Sequence, residues 1–200
     1  MTKIIFATGN KGKVNEIKEI LKDVDAEIVT MKEAGYDIDV EENGTTYEEN
    51  AVIKAKAIME ASGCLTLADD SGLEVDYLNK EPGIHSARYM GHDTSYDKKN
   101  QSIIDKLEGV PEEERTGRFV CAIAAAFPDG RVETVRATME GRIAHSIAGV
   151  NGFGYDPIFF LPERGCTSAE ISAEEKNEIS HRGKALRLMK ERLIELGVFE

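Results

Sequence analysis

The 200-residue sequence has no long apolar run. Its first ten residues, MTKIIFATGN, hold an apolar stretch of only four. A signal peptide needs about 7–15 apolar residues and a membrane-spanning helix about 20. No segment meets either requirement, so a cytoplasmic protein with no membrane partner is expected. Cysteine is scarce: Cys64, Cys121 and Cys166 are odd in number, far apart and form no CxxC. That excludes the spacing of a zinc ribbon or a redox pair, and they read as core residues or spare thiols. Cations are outnumbered, with 25 Lys and Arg against 37 Asp and Glu, for a net charge of −12. Such a balance argues against broad nucleic-acid or membrane-surface binding. It allows an anionic ligand wherever lysines gather locally. Repeats, low-complexity tracts and linkers are absent, and a single domain over residues 1–200 is expected. His85, His92 and His145 lack metal-ligand spacing, and Ser71 has no evident histidine partner for a serine nucleophile.

What is present suits a globular α/β protein: 41% hydrophobic and 31% charged residues are enough for a sizeable core. KIIFAT (3–8) reads as a strand, KGKVNEIKEILKD (11–23) as a helix and AEIVTM (26–31) as a second strand. This is the opening of a βαβ unit. A helix is expected over 46–62, capped by Thr45 or Thr46. CLTLAD forms a third strand, and LEVD (73–76) extends it or pairs beside it. Residues 82–91 are loop-rich, and a helix covers 94–108. RFVCAIAAAF (118–127) and RVETVRATMEGRIA (131–144), joined by PDG, look like a hairpin. A loop over 149–157 leads to the short strand IFFL, and the last helix covers 183–196. The expected architecture is a mixed sheet with flanking helices.

Four stretches could carry chemistry. In TGNKGK (8–13) a strand runs through Gly9 and Gly12 into a helix start, with Lys11 and Lys13 adding charge. Such a turn can hold a phosphate on backbone N–H groups and the helix dipole. It is not a Walker A loop, because Ala7 and Val14 stand where that motif needs Gly and Ser or Thr. The bland alternative is an ordinary strand-to-helix turn. VEENG (40–44) and ADDSG (68–72) each set two carboxylates beside a glycine. One carboxylate from each could share Mg²⁺, which takes one or two protein carboxylates and fills its shell with water and phosphate. Side chains alternate along a strand, so only one of Asp69 and Asp70 would face the site, and periodicity does not say which. A solvated Asx turn is the alternative.

EEKNEISHRGKA (174–185) gathers Lys176, His181, Arg182 and Lys184 near a helix start where Ser180 is a possible cap. NGFGYDP (151–157) holds Phe153 between two glycines, with Tyr155 following, as a ring for stacking on a base would be held. A solvated face and a packed hairpin turn are the respective alternatives. Together these are the parts of a nucleotide-phosphate site.

The stretches ATGNKGKVNEI, TYEENAVIKAKA, ADDSGLEVD, PGIHSARY, GFGYDPIFF and EEKNEISHRGKAL occur in an order and spacing that resemble one known family across the whole chain. It is the non-canonical purine nucleoside triphosphate pyrophosphatases, also called dITP/XTP or inosine triphosphate pyrophosphatases. The resemblance implies an elongated mixed sheet flanked by helices, in two lobes with a central active-site cleft, and a homodimer. It implies Mg²⁺-dependent hydrolysis of ITP, dITP and XTP to the monophosphate and pyrophosphate. By that resemblance Thr8, Gly9, Asn10, Lys11, Gly12 and Lys13 hold the triphosphate, and Glu41 and Asp70 bind Mg²⁺. Asp70 also accepts a proton from water, and Lys54, Ser71 and Lys176 contact substrate. Phe153, Gly154, Tyr155 and Asp156 cradle the base, and His181 and Arg182 face its 6-position. A pyrophosphatase for other modified nucleotides and a non-catalytic nucleotide sensor are the alternatives.

Overall fold

The structure, a computed structural model, describes residues 2–199. Strand β1 (Thr2–Phe6) pairs in parallel with β2 (Ala26–Thr30) on one side and with β3 (Leu65–Val75) on the other. Helix α1 (Lys11–Ile20) connects β1 to β2, as the βαβ reading expects. Its start is fixed by Asn10, whose Oδ1 accepts from the Gly12 and Lys13 N–H groups at 2.9 and 3.2 Å. Helix α2 (Tyr47–Ser62) is capped by Thr46, whose Oγ1 accepts from the Glu49 N–H at 3.1 Å. It stops at Gly63, which takes the left-handed conformation (φ 68°) that side chains disfavour.

Strand β3 joins the expected CLTLAD and LEVD segments into one strand of 11 residues, leaving out only Cys64 and Asp76. Asp69, Asp70, Ser71 and Gly72 look like a turn by residue type, yet they are strand. The reason is that β3 is buried at every position but Ser71 and Glu74, and its carboxylates find partners inside the protein. Strands β4 (Thr116–Ala126) and β5 (Val132–Ile143) are neighbours, joined by a turn that the Phe127 N–H closes on the Arg131 carbonyl at 2.9 Å. Strand β6 (Phe159–Leu161) pairs antiparallel with β5, and β7 (Cys166–Thr167) pairs antiparallel with β6. The order is β2-β1-β3-β4-β5-β6-β7, a mixed seven-stranded sheet. Helices α3 (Tyr96–Lys106), α4 (Ala173–Ile179) and α5 (His181–Glu195) complete the α/β fold. Helix α4 has no counterpart in the sequence reading; Ser172 caps it, and Ser180 ends it rather than only starting α5.

The chain divides into two compact units. The first comprises the chain through Asp70, Cys121–Ala137 and the chain from Arg182 onward. Its core lies around Phe6, Ile17, Leu67, Ile123, Leu186 and Met189, with a second cluster of small residues, Ala51, Ala55, Ala68 and Ala124, beside Ile58. The small side chains let α2 approach its strands closely. The second unit comprises Ser71–Val120 and Thr138–His181, with a core of Leu73, Ile103, Leu107, Phe119 and Phe159. Among the described residues no helix is long and apolar enough to cross a membrane.

Candidate active site

In the first unit the turn after β1 presents Thr8, Gly9 and Asn10. Thr8 is buried, and its Oγ1 accepts from the Asn10 N–H at 3.2 Å. A Cβ added at Gly9 would meet nothing within 4 Å, so no chain packing requires glycine there. The space above the turn is therefore open to a ligand. Lys11 is exposed at the start of α1, and Gly12 is half-buried.

Lys13 turns inward. Its Nζ lies 3.0 Å from Asp69 Oδ2. Asp69 is fully buried, and the Arg182 Nε donates to the same oxygen at 3.3 Å. Arg182 also donates through Nη1 to Glu16 Oε2 at 2.5 Å. Burial alone would raise the Asp69 pKa, but the charges of Lys13, Arg182 and Lys54 outweigh it and hold the carboxyl well below the usual carboxylate range. Burial likewise works against the Arg182 charge, and Asp69 and Glu16 overcome it. This pair of carboxylates and pair of cations ties α1, β3 and α5 together beneath the turn.

Asp70 stands in a different environment. It is 6% exposed, and its Oδ2 accepts from Asn50 Nδ2 at 3.2 Å. Burial raises its pKa to about 6; Lys54 opposes that rise, and the negative Glu42 adds to it. Lys54 Nζ bonds Glu42 Oε1 at 2.6 Å and the Asp69 carbonyl at 2.9 Å. Burial disfavours its charge, and Asp69, Glu42 and Asp70 restore it. The structure thus answers the alternation question: Asp69 is structural, and Asp70 is the carboxylate left in a partly electronegative setting. Of the Glu41–Glu42 pair, Glu42 meets Lys54, whereas Glu41 is exposed. Among the described residues no cluster of three or more acidic, His or Cys side chains is poised to hold a metal. Two carboxylates would suffice for Mg²⁺ that takes its other ligands from phosphate and water.

In the second unit the loop 151–157 is organised by Asp156, which is 2% exposed. Asp156 Oδ2 accepts from Lys176 Nζ at 2.7 Å and from the Phe153 N–H at 3.0 Å, and Oδ1 accepts from Ser168 Oγ at 2.8 Å. Lys176 Nζ also lies 4.7 Å from the Phe153 ring centroid, a cation–π contact. Tyr155 is buried, and its hydroxyl donates to the Ser86 carbonyl at 2.6 Å. Gly154 (φ 65°) is in the left-handed region. His181 stacks on Phe119, with centroids 4.8 Å apart and planes at 15°. Ser71, the first residue of this unit, is half-buried.

The structure therefore brings Lys13, Lys54, Asp70 and Arg182 into one network in the first unit, and Phe153, Asp156 and Lys176 into another in the second. Sequence reasoning missed Glu16, Asn50 and Ser168. Asn50 and Lys54 are spaced i, i+4 on α2, as are Ala51 and Ala55, so the repeat that marks the buried face also marks Asn50. Glu16 follows Lys13 by three residues on α1 and had the same signal. Ser168 lay in a stretch without periodicity, and nothing local distinguishes it.

These features coincide with similarity over nearly the full chain. The dITP/XTP pyrophosphatase of Clostridium perfringens is 47% identical over 199 residues, covering 96% of this chain and 98% of that protein. The dITP/XTP pyrophosphatase of Listeria monocytogenes serovar 1/2a is 46% identical, covering 98% of this chain and 97% of its own. Among solved structures, the Staphylococcus aureus Ham1 protein superposes with a TM-score of 0.87 at 41% identity, covering 97% of this chain and 99% of that one. A HAM1 protein from Coxiella burnetii gives 0.89 at 38% identity, covering 98% and 100%. The Ham1 family profile matches residues 4–192, and the chain belongs to that family.

Proposed function

We propose that this protein is a Mg²⁺-dependent hydrolase of non-canonical purine nucleoside triphosphates, converting ITP, dITP or XTP to the monophosphate and pyrophosphate. The observation that carries the reading is Asp70: a buried carboxylate with a pKa raised to about 6, beside Lys54 and Glu42, in a chain with relatives of that name. A base works best with a pKa near the operating pH, and at pH 7 this carboxyl is mostly ionised.

The open turn at Gly9, the exposed Lys11 and the N-terminus of α1 are assigned to the triphosphate. Asn10 already uses its side chain to cap α1, so its part is to shape the turn. Lys13 and Arg182 hold Asp69, which fixes β3 and so aims Asp70. Mg²⁺ is assigned to Asp70 with a carboxylate of the Glu41–Glu42 pair; when bound, it would offset phosphate charge and make water more acidic. The donor set suits it: carboxylate oxygens are the hard ligands that Mg²⁺ takes, and Glu42 stands near enough to Asp70 to act on it as a like charge. Asp70 takes a proton from the attacking water as the new O–P bond forms at the α-phosphorus. The bond to the bridging oxygen breaks, and pyrophosphate leaves. Lys54 steadies the negative charge around Asp70.

The base end is assigned to Phe153, Gly154, Tyr155 and Asp156, with Lys176, Ser71, His181 and Arg182 as further substrate contacts. A 6-oxo purine accepts from His181 and Arg182, whereas the adenine amino group would set donor against donor, a mismatch that discriminates strongly. A homodimer in the cytoplasm completes the proposal on the strength of the family resemblance, and light scattering of the purified protein tests the dimer. The decisive experiment for activity is pyrophosphate release from ITP, XTP, GTP and ATP, with and without Mg²⁺. Turnover of ITP and XTP far above ATP, lost without Mg²⁺, is expected. Tight ITP binding without turnover would overturn catalysis in favour of a nucleotide sensor.

A further inference from the structure

Two residues of α3 hold loops by their main-chain carbonyls. Lys99 and Asn100 are each 1% exposed, although Ile103 and Ile104 already supply the apolar face of the helix. Lys99 Nζ donates to the Ala87 carbonyl at 2.8 Å, and Asn100 Nδ2 donates to the Gly154 carbonyl at 3.1 Å. The neighbouring Ser86 carbonyl is taken by the Tyr155 hydroxyl. One helix turn therefore grips both the segment Gly83–Arg88 and the loop 151–157, and Tyr155 joins those two segments directly.

This arrangement costs stability locally. Among the described residues Lys99 has no carboxylate partner, only the Ala87 carbonyl and the Tyr96 ring at 4.7 Å, and burial lowers its pKa. The Asn100 Oδ1 is buried without a hydrogen-bond partner among the described residues. Leucine or methionine at both positions would fill the space without desolvating a charge or an amide. Gly154 needs the grip more than most residues, since its φ of 65° is one of several it can adopt. Tyr96 bounds the same spot: a Cβ at Gly154 would lie 3.7 Å from its ring, which sits edge-on to Tyr155 with centroids 5.2 Å apart.

We infer that Lys99 and Asn100 are positioning residues for purine recognition, locking the 151–157 loop against Gly83–Arg88 so that Phe153 is presented at a fixed height. The inference rests on the assignment of Phe153 to Asp156 to the base. A ring on a loose loop still stacks on any base. Discrimination between a 6-oxo and a 6-amino group needs the stacking platform and the donors in one register.

The test uses Asn100→Ala, Asn100→Asp, Lys99→Met and Lys99→Arg in the full chain. Asn100→Asp keeps the shape but sets an acceptor against the Gly154 carbonyl, and Lys99→Arg keeps a donor for Ala87. Three readouts are taken: thermal unfolding, hydrogen exchange of residues 84–89 and 152–156 without ligand, and kcat and KM for ITP and ATP. Asn100→Ala, Asn100→Asp and Lys99→Met should speed exchange in those segments and raise KM for ITP about tenfold. They should narrow the ITP/ATP preference in kcat/KM by a similar factor, with kcat within about threefold. Lys99→Arg should restore most of the preference. Faster exchange with an unchanged ITP/ATP ratio and KM would overturn the positioning role and leave the proposed function standing. Unchanged exchange would overturn the tether itself. Wild-type protein that does not hydrolyse ITP would overturn the functional reading, and the specificity claim with it, while the exchange result still judges the tether.

Discussion

Asp69 and Asp70 are consecutive in β3 and displaced in opposite directions, Asp69 held well below the usual carboxylate range and Asp70 raised to about 6. Burial pushes both upward. Asp69 is overcome by two cations in direct contact, Lys13 and Arg182, whereas Asp70 has a neutral amide in contact and a second carboxylate nearby. Two chemically identical neighbours thereby become a structural anchor and a candidate base.

Their substitutions should separate accordingly. Asp70→Asn should lower kcat by about 10³ through loss of the base, with little change in the melting temperature. Asp69→Asn should leave Lys13 and Arg182 without their shared charge and cost about 3 kcal/mol, a fall in Tm of roughly 10 °C. Calorimetry beside steady-state kinetics makes the comparison. Equal loss of stability in both variants would contradict the division of labour.

The Glu41–Glu42 pair yields a second comparison. Glu42 lies against Lys54 and acts on Asp70, while Glu41 is exposed. If Glu42 shares the cation, Glu42→Gln raises the Mg²⁺ concentration for half-maximal activity about tenfold and Glu41→Gln leaves it near wild type. The reverse order of effects assigns the metal to Glu41, as the family resemblance implies. Mg²⁺ titrations of pyrophosphate release decide between them.

Lys176 and Asp156 form a buried pair, with side chains 5% and 3% exposed. Lys176→Met strands the Asp156 charge and should cost about 3–5 kcal/mol. The double variant Lys176→Met/Asp156→Asn should recover part of that loss, because the stranded charge is gone. Denaturant unfolding of both singles and the double gives the coupling. Strict additivity would show that the two residues do not act as a pair.

Acid should weaken the second unit through Asp76. Hydrogen bonds from Arg118 depress its pKa most; burial opposes them, and bonds from Lys80 and Thr116 add to the depression. A carboxyl with a folded pKa below its unfolded value of about 3.9 stabilises fully above that value. The contribution disappears as pH falls through the lower folded pKa. Asp76→Asn should therefore lower Tm at pH 7 and flatten the decline of Tm below about pH 4. A wild-type-like acid slope in the variant would rule Asp76 out as a source of acid sensitivity.

The sequence by itself determined most of the fold. Apolar spacing and turn chemistry marked the βαβ opening, the capped helix over 46–62 and the β4–β5 connection, because those signals are local. Motif order marked the family. It did not determine which of two adjacent carboxylates is the anchor, because alternation puts them apart without saying what waits on either side. Nor did it show that Arg182 and Glu16, 166 positions apart, would meet, or that Lys99 and Asn100 would be buried. Only tertiary structure decided these points, since the pKa of a carboxylate and the cost of burying an amine depend on charges and carbonyls delivered by distant segments. Periodicity records which face is turned inward; the partners found there are set by the packing of the whole chain.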